Sequence, residues 1–416
     1  MSQQAAEQLI EHGRVAAGDL LSVSEETCNQ ILTSLADRLE KNTGEIIKAN
    51  AEDLKSGEEM GLSSALLERL MLNDERIKGI ADGVRAVATL KAPLEKRSHA
   101  TSLLKASPLS ECEYPWSICI IFESRPNVTV ETAILALKSR NAIILKGGKE
   151  ARHTNRALAS IIRSCIEAAE VNQDAVQLVG DNGREVATHI IQKEDGVDLV
   201  IPRGGEGLIR AVSTESRVPV LKHYKGVCHL YVDKDADLDI ALRASVNAKT
   251  QRPSVCNAIE TLLVHEEVAE KFLPSLGEAL KEKSTAIRGD ERTCALLSDA
   301  QPATEDDWSE EYLDLTLAIR VVPSHEDAVR HINRYGSHHT DGVISENPEV
   351  LAYFTEQVDS GSVMLNTSTR FADGFEYGLG AELGISTDKL HARGPMGLEG
   401  LTTYKWIVES KGAIRE

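Results

Sequence analysis

The sequence predicts an α/β protein built on parallel sheets, and three observations predict it. Short apolar runs of strand length recur, among them Ser117-Ile118-Cys119-Ile120-Ile121-Phe122, Ala142-Ile143-Ile144-Leu145 and Asp198-Leu199-Val200-Ile201. Amphipathic stretches with helical spacing lie between them, over residues 130–137, 151–170 and 184–192. The strand runs end on glycine, proline or charged turns. Buried strands alternating with helices are what a parallel sheet covered on both faces requires.

In chain order, the first ninety or so residues read as helices: Ile31, Leu35 and Leu39, then Ile46, Ile47 and Leu54, then Leu66, Leu67, Leu70, Ile77, Ile80, Val84 and Val87. Ser63 and Asn73 are placed to cap two of them, and the pattern stops at Ala92-Pro93. Residues 94–115 read as irregular and contain no glycine. The alternation then begins at Trp116, with Val176-Gln177-Leu178-Val179 as a further strand. In such sheets ligands bind at the carboxyl ends of the strands. Those ends carry Glu123 to Asn127, Lys146 to Lys149 and Pro202 to Gly207. A second αβ unit starts at Val218, with strands at Leu230-Tyr231-Val232, Thr261-Leu262-Leu263-Val264 and Ala318-Ile319-Arg320-Val321-Val322. Residues 299–314 hold seven acids and no base, which reads as a loose, solvated connection. A glycine-rich stretch precedes a final strand, Thr403-Tyr404-Lys405-Trp406-Ile407-Val408.

At 416 residues the chain is too long for one ordinary domain. With 46 Lys and Arg against 65 Asp and Glu, the formal charge of −19 argues against a nucleic-acid or anionic-membrane partner. It does not exclude small anionic substrates, because a site is local. The N-terminus lacks the apolar core of a signal peptide, and no run of about 18 apolar residues exists to span a membrane. Seven cysteines are scattered without a CxxC pair. That argues against a disulfide framework and a structural zinc site, predicts no metal, and fits a reducing cytoplasm.

There is no GxxxxGK followed by Ser or Thr, and no GxGxxG after a strand. Pro202-Arg203-Gly204-Gly205-Glu206-Gly207 instead opens a helix, either as a cradle of N–H groups for a pyrophosphate or as a plain strand–helix turn. Residues 138–163 carry seven Lys and Arg and one acid. Much of this could be a solvated helix face. Lys146 and Lys149, however, bracket two glycines at a strand end, where a ribose or the extra phosphate of NADP would bind. Cys256 is the strongest nucleophile candidate, in the polar loop Pro253-Ser254-Val255-Cys256-Asn257 before a strand. Cys119 and Cys165 read as inert packing residues, and Cys228 and Cys294 have no evident partner. His338, His339 and His391 read as surface or hydrogen-bonded histidines. Arg125, Arg370 and Arg393 lie in turns, suited either to bidentate capture of carboxylate or phosphate or to bracing the turn.

Several segments together carry a family resemblance: Glu123-Ser124-Arg125-Pro126-Asn127-Val128-Thr129, Leu145-Lys146-Gly147-Gly148-Lys149-Glu150, Ile201-Pro202-Arg203-Gly204-Gly205, Asn247-Ala248-Lys249-Thr250-Gln251-Arg252-Pro253-Ser254-Val255-Cys256-Asn257, Thr369-Arg370-Phe371-Ala372-Asp373-Gly374 and Leu390-His391-Ala392-Arg393-Gly394-Pro395-Met396-Gly397. In this order they resemble the γ-glutamyl phosphate reductases (glutamate-5-semialdehyde dehydrogenases) of the aldehyde dehydrogenase superfamily, nearly end to end. The resemblance implies an aldehyde dehydrogenase-like fold with three parts. These are a Rossmann-like cofactor domain over residues 1–224, a smaller αβ catalytic domain over 225–365, and a return over 366–416. Residues 94–115 and the last strand would form a β-extension used in oligomerisation.

The resemblance also implies NADPH-dependent reduction of L-glutamyl 5-phosphate to L-glutamate 5-semialdehyde and phosphate, in proline biosynthesis. It assigns Cys256 as nucleophile, Asn127 as oxyanion donor, Lys146, Lys149, Arg203, Gly204 and Gly205 to the cofactor, and Arg125, Arg370 and Arg393 to the substrate. A homo-oligomer and functional coupling to a glutamate kinase follow from the same likeness. The hydrolytic members carry a glutamate base where this chain reads Val220-Leu221-Lys222-His223-Tyr224-Lys225, without a carboxylate. Lys149 stands where NAD-preferring members often have an acid. One departure is Pro115-Trp116-Ser117-Ile118-Cys119-Ile120, which lacks the family's strand glycines and is expected to add bulk beside the cofactor cleft. The alternatives are a reductase of another acyl phosphate and a catalytically silent paralogue.

Overall fold

The computed structural model describes residues 2–95, 97–100, 109–180, 183–390, 392–408 and 414. The chain divides into two units. The first comprises Met1–Lys222, Gly378–Gly384 and Met396–Glu416, and the second His223–Tyr377 and Ile385–Pro395. The expected crossing at 365–366 therefore lies further on, and residues 385–395 go back to the second unit before the chain ends in the first.

The first unit opens with helices Ser2–Leu20, Glu25–Lys41, Thr43–Glu59, Ser64–Leu70 and Asp74–Thr89. Ser63 accepts from the Leu66 N–H and Asn73 from the Arg76 N–H, so both expected caps form. A four-stranded parallel sheet follows, in the order Val176–Leu178, Ala142–Lys146, Ser117–Phe122, Leu199–Arg203. Strand Ser117–Phe122 sits inside it and is buried on both faces. The bulk expected beside the cofactor cleft goes into the core instead. Cys119 and Ile121 pack with Ile144, Ile190 and Val200, and Ile118, Ile120 and Phe122 are fully enclosed.

Two further expectations change here. Lys138 does not join a basic ligand surface. It is fully buried, and its ammonium donates to Glu25 (2.9 Å), Asn29 (2.5 Å) and the Ala88 carbonyl (3.3 Å). A buried cation needs such partners, and these pin helix Asn127–Lys138 to the N-terminal helices. Residues 94–115 are not irregular throughout. Arg97–Ala100 and Leu109–Pro115 are antiparallel strands, and Thr402–Val408 pairs along the second of them. A strand whose partner arrives from the far end of the chain leaves little local signature.

The second unit holds a seven-stranded sheet, every adjacent pair parallel. Its order is Gln301–Pro302, Ala286–Gly289, Thr316–Val322, Ile259–His265, Cys228–Val232, Thr340–Ile344, Ser362–Leu365. Alternate residues feed opposite cores. Leu230, Val232 and Leu262 pack with Leu273 and Leu276, whereas Tyr231, Leu263 and Val343 pack with Ile332 and Phe354.

The acidic stretch at 299–314 is no loose connection. Trp308 is buried in it, edge-on to His331 and under the Arg320 guanidinium at 5.4 Å. Asp307 accepts from the Thr304 N–H and the Tyr312 hydroxyl at 2.6 Å each. Asp307 and Glu311 are half-buried while the other five acids stay exposed, and one aromatic anchor fixes the segment despite its polar composition. No helix among the described residues is long and apolar enough to cross a membrane.

Candidate active site

Cys256 lies in the loop joining helix Leu238–Thr250 to strand Ile259–His265, and it is half-buried. The loop is held from three directions. Beneath it runs Gly226, where an added Cβ would come 2.1 Å from the Cys256 carbonyl oxygen and 2.5 Å from its Cα. Only glycine lets the two backbones approach so closely. The Cys228 thiol donates to that carbonyl at 3.1 Å. From another side, the Thr369 hydroxyl donates to the Asn257 carbonyl at 2.7 Å, and the Asn257 amide donates to the Ala372 carbonyl at 2.9 Å. Arg370 closes the third side, its guanidinium hydrogen-bonded to Asn257 and, at 2.8 Å, to Gln251.

Behind the loop, the Lys249 ammonium and Glu260 carboxylate meet at 2.5 Å, both fully buried. They join the end of the helix to the start of the strand, clamping both ends of the Cys256 loop. Burial pushes the Glu260 carboxyl up to about 7, Lys249 pulling the other way, and the Leu313 N–H also donates to it at 3.2 Å. Glu311 accepts the Gly226 N–H at 2.8 Å. The acidic stretch thus supports the site rather than bypassing it.

Four of the other described cysteines, Cys28, Cys119, Cys165 and Cys228, are buried, whereas Cys256 and Cys294 are half-buried. Burial pushes the Cys119 thiol up to about 12 and raises those of Cys28, Cys165 and Cys228, the last well above its ordinary value. Desolvation keeps these thiols protonated and poor as nucleophiles. Alongside the loop lies a cavity of about 660 Å³ whose charged lining is Arg243 and Arg370 together with Asp373 and Glu376, with Asn247, Gln251 and Ser368 between them. Burial and the neighbouring Arg252 both oppose the Arg370 charge, the setting in which an anionic ligand is welcome. Arg393 is differently placed. It donates to the Asp359 carboxylate at 2.7 Å and to the Asp359 carbonyl at 3.0 Å, which is the turn-bracing role.

The first unit contains a cleft of about 1270 Å³ at the carboxyl ends of its strands. Lys146, Gly147, Gly148 and Lys149 line it together with Glu123, Glu150, Arg152 and Arg156. Its turns are already occupied by the chain's own carboxylates. Glu150 accepts from the Ser124 N–H and hydroxyl at 2.6 and 2.9 Å, and any Cβ on Gly148 would collide with that carboxylate. Glu123 accepts from the Gly205 N–H at 3.3 Å, and Gly204 leaves room for it. One N–H group expected to be open for a pyrophosphate, that of Gly205, is therefore engaged. Arg203 ends strand Leu199–Arg203, half-buried. Arg125 is exposed in the turn before helix Asn127–Lys138, and the Asn127 amide donates to Glu131 at 2.9 Å.

Sequence reasoning missed Gly226, Glu260 with Lys249, and the histidines nearest the thiol. His339 is fully buried, its Nδ1 2.9 Å from the Thr340 hydroxyl and 3.7 Å from the Cys228 sulfur. His223 hydrogen-bonds the Ile385 carbonyl through Nδ1. His338 contacts the Asp359 carbonyl, while His391 lies outside the described residues. The run Lys225-Gly226-Val227-Cys228 offered the one available signal, a glycine directly before a buried strand.

The aldehyde dehydrogenase family matches this chain over residues 1–312. The γ-glutamyl phosphate reductase of Moorella thermoacetica is 48% identical over 407 residues, covering 98% of this chain and 97% of that one. That of Idiomarina loihiensis is 45% identical over 417 residues, covering 100% of both. The crystal structure of the γ-glutamyl phosphate reductase of Thermotoga maritima superimposes with a TM-score of 0.95 at 40% identity, over 99% of this chain and 100% of that one. On sequence and on fold alike, the chain belongs to the aldehyde dehydrogenase family, in the branch of the γ-glutamyl phosphate reductases.

Proposed function

We propose that this protein reduces L-glutamyl 5-phosphate to L-glutamate 5-semialdehyde and phosphate with NADPH, through a thioester on Cys256. The observation that carries the reading is the braced, half-buried Cys256 loop beside an arginine-lined cavity, in a chain 45–48% identical to γ-glutamyl phosphate reductases.

The size of the strand-end cleft and its Lys146, Lys149, Arg152 and Arg156 support a phosphorylated nicotinamide dinucleotide as ligand, which would displace Glu123 from the Gly205 N–H. Lys146 and Lys149 would hold the ribose and its 2′-phosphate, and Arg203 with the Gly204-Gly205 turn the pyrophosphate. When bound, the reduced nicotinamide supplies a hydride to a carbonyl carbon.

The remaining steps belong to the chain. The Cys256 sulfur attacks the acyl carbon, and the bond to the phosphate oxygen breaks, phosphate leaving with the electron pair. A thioester remains. After reduction the oxygen carries negative charge, which the Cys256 backbone N–H stabilises, with Asn127 assigned by resemblance as the second donor. Collapse breaks the carbon–sulfur bond, releases the aldehyde and returns the thiolate. Arg370, Arg125 and Arg393 are the candidate holders of substrate phosphate and carboxylate, Arg393 only by giving up Asp359. Residues 220–225 contain no carboxylate to activate a water, so the thioester survives until reduction.

The sheet made by Arg97–Ala100, Leu109–Pro115 and Thr402–Val408 ends on a strand with exposed Tyr404, Trp406 and Val408. We assign this edge to contact with a second copy of the chain. Acyl phosphates hydrolyse readily, so a cytoplasmic kinase acting on glutamate would supply the substrate at close quarters.

The reverse reaction tests the reading. Glutamate 5-semialdehyde, phosphate and NADP⁺ should yield NADPH with the wild type, and Cys256→Ser should lose that rate by at least about a thousandfold. No phosphate-dependent NADPH from the wild type would overturn it.

A further inference from the structure

We propose that His223, Cys256 and His339 form a binding site for a borderline-soft divalent cation, zinc above all, which reversibly withdraws the Cys256 sulfur from chemistry. The three residues come from separate parts of the second unit. His223 is its first residue, Cys256 lies in the loop before strand Ile259–His265, and His339 directly precedes strand Thr340–Ile344. Their ligand atoms all lie within 4.8 Å of one another. A tetrahedral zinc with bonds of about 2.0–2.1 Å to nitrogen and about 2.3 Å to sulfur spaces its ligands about 3.3–3.6 Å apart. Closure asks for side-chain shifts of about 1 Å, and two of the three side chains are only half-buried.

A second observation concerns the imidazoles. A carbonyl can only accept, so the 3.0 Å contact of His223 Nδ1 with the Ile385 carbonyl makes Nδ1 the donor and leaves the Nε2 lone pair for a metal. Histidine ligands of zinc are oriented in this way by backbone carbonyls. The two rings meet at 71° with centroids 5.6 Å apart, so they are not stacked together. His339 forms a buried floor, 1% exposed, and the half-buried His223 and Cys256 leave an entrance. Two nitrogens and a sulfur select zinc over magnesium or calcium, which require oxygen. Three protein ligands leave the fourth position to water.

Binding is an acid–base exchange without redox change. Zinc bonds to sulfur, and the thiol proton passes to solvent, so affinity rises with pH. The cation site stands on geometry alone. The loss of turnover that zinc would cause rests on the proposed role of Cys256.

The test is a zinc titration of the metal-free full-length protein, read by calorimetry and by the rate at which iodoacetamide alkylates Cys256. We expect one zinc per chain, tighter binding at higher pH, and alkylation slowed by zinc and restored by a chelator, with no effect of magnesium. His223→Gln and Cys256→Ala, each checked for folding by circular dichroism, should each weaken zinc at least about tenfold. If one variant misfolds, the other decides. Unchanged affinity in a folded variant, or alkylation indifferent to zinc, overturns the proposal. Binding is read without turnover, so an inactive wild type would sink the reductase reading and leave this site standing. An active enzyme that ignores zinc would do the reverse.

Discussion

The Cys256 loop of the second unit and the strand-end cleft of the first treat charge in opposite ways. Around Cys256 the supporting groups are paired and mostly buried: Lys249 on Glu260, the half-buried Glu311 on the Gly226 N–H, Asn257 between Thr369 and Ala372. The backbone of the loop cannot move far without breaking one of these bonds, while the Cys256 side chain is not held by them. In the cleft the charged groups are half-buried or exposed, and Glu123 and Glu150 hold N–H groups suited to a ligand's phosphates. A covalent step needs its atom fixed in advance, because misplacement by about 1 Å can cost about a hundredfold. A cofactor that must enter and leave needs anion sites that can be exchanged.

Breaking the buried pair should have the largest effect. Lys249→Met strands the Glu260 carboxylate and should cost about 3–5 kcal/mol of stability at neutral pH, read as a lower midpoint in urea. Glu260 titrates near 7 in the folded protein against 4.5 for a free carboxyl, so the folded state binds the proton more tightly. Stability gained by protonation is present at low pH and lost as pH rises through that interval. The deficit of Lys249→Met should therefore shrink on acidification toward pH 5 and be largest above neutrality. A deficit independent of pH would contradict a desolvated Glu260.

Gly226→Ala comes next. Its Cβ would collide with the Cys256 carbonyl, and the loop must shift. We expect kcat to fall about a hundredfold while cofactor affinity, measured by fluorescence titration of NADPH, stays within twofold or so. Equal losses in both would erase the contrast between the two regions. Lys149→Glu is the smaller, opposite perturbation. It should weaken NADPH about tenfold, leave NADH nearly untouched, and spare the alkylation rate of Cys256.

The parallel sheets were legible because buried strands and amphipathic helices each keep their own period, and the turns between them because glycine, proline and charge punctuate the apolar runs. The support of Cys256 was not. Strand Cys228–Val232 lies between Ile259–His265 and Thr340–Ile344, so sheet order, invisible in one sequence, brings Gly226, Cys228 and His339 to Cys256. Composition misled at 299–314, where Trp308 outweighs seven acids, and at Lys138, a cation used as a buried strut. The Gly204-Gly205 turn was found but its occupant was not, since Glu123 is 82 residues away along the chain.

The central claim is that Cys256 carries the acyl group and that phosphate, not water, removes it. Mixing the wild type with glutamate 5-semialdehyde and NADP⁺ in phosphate-free buffer tests it most directly. The account predicts about one NADPH per chain, a glutamyl adduct on the Cys256 peptide by mass spectrometry, and turnover only after phosphate is added. Continuous NADPH production without phosphate, or a burst with Cys256 unmodified, would contradict it.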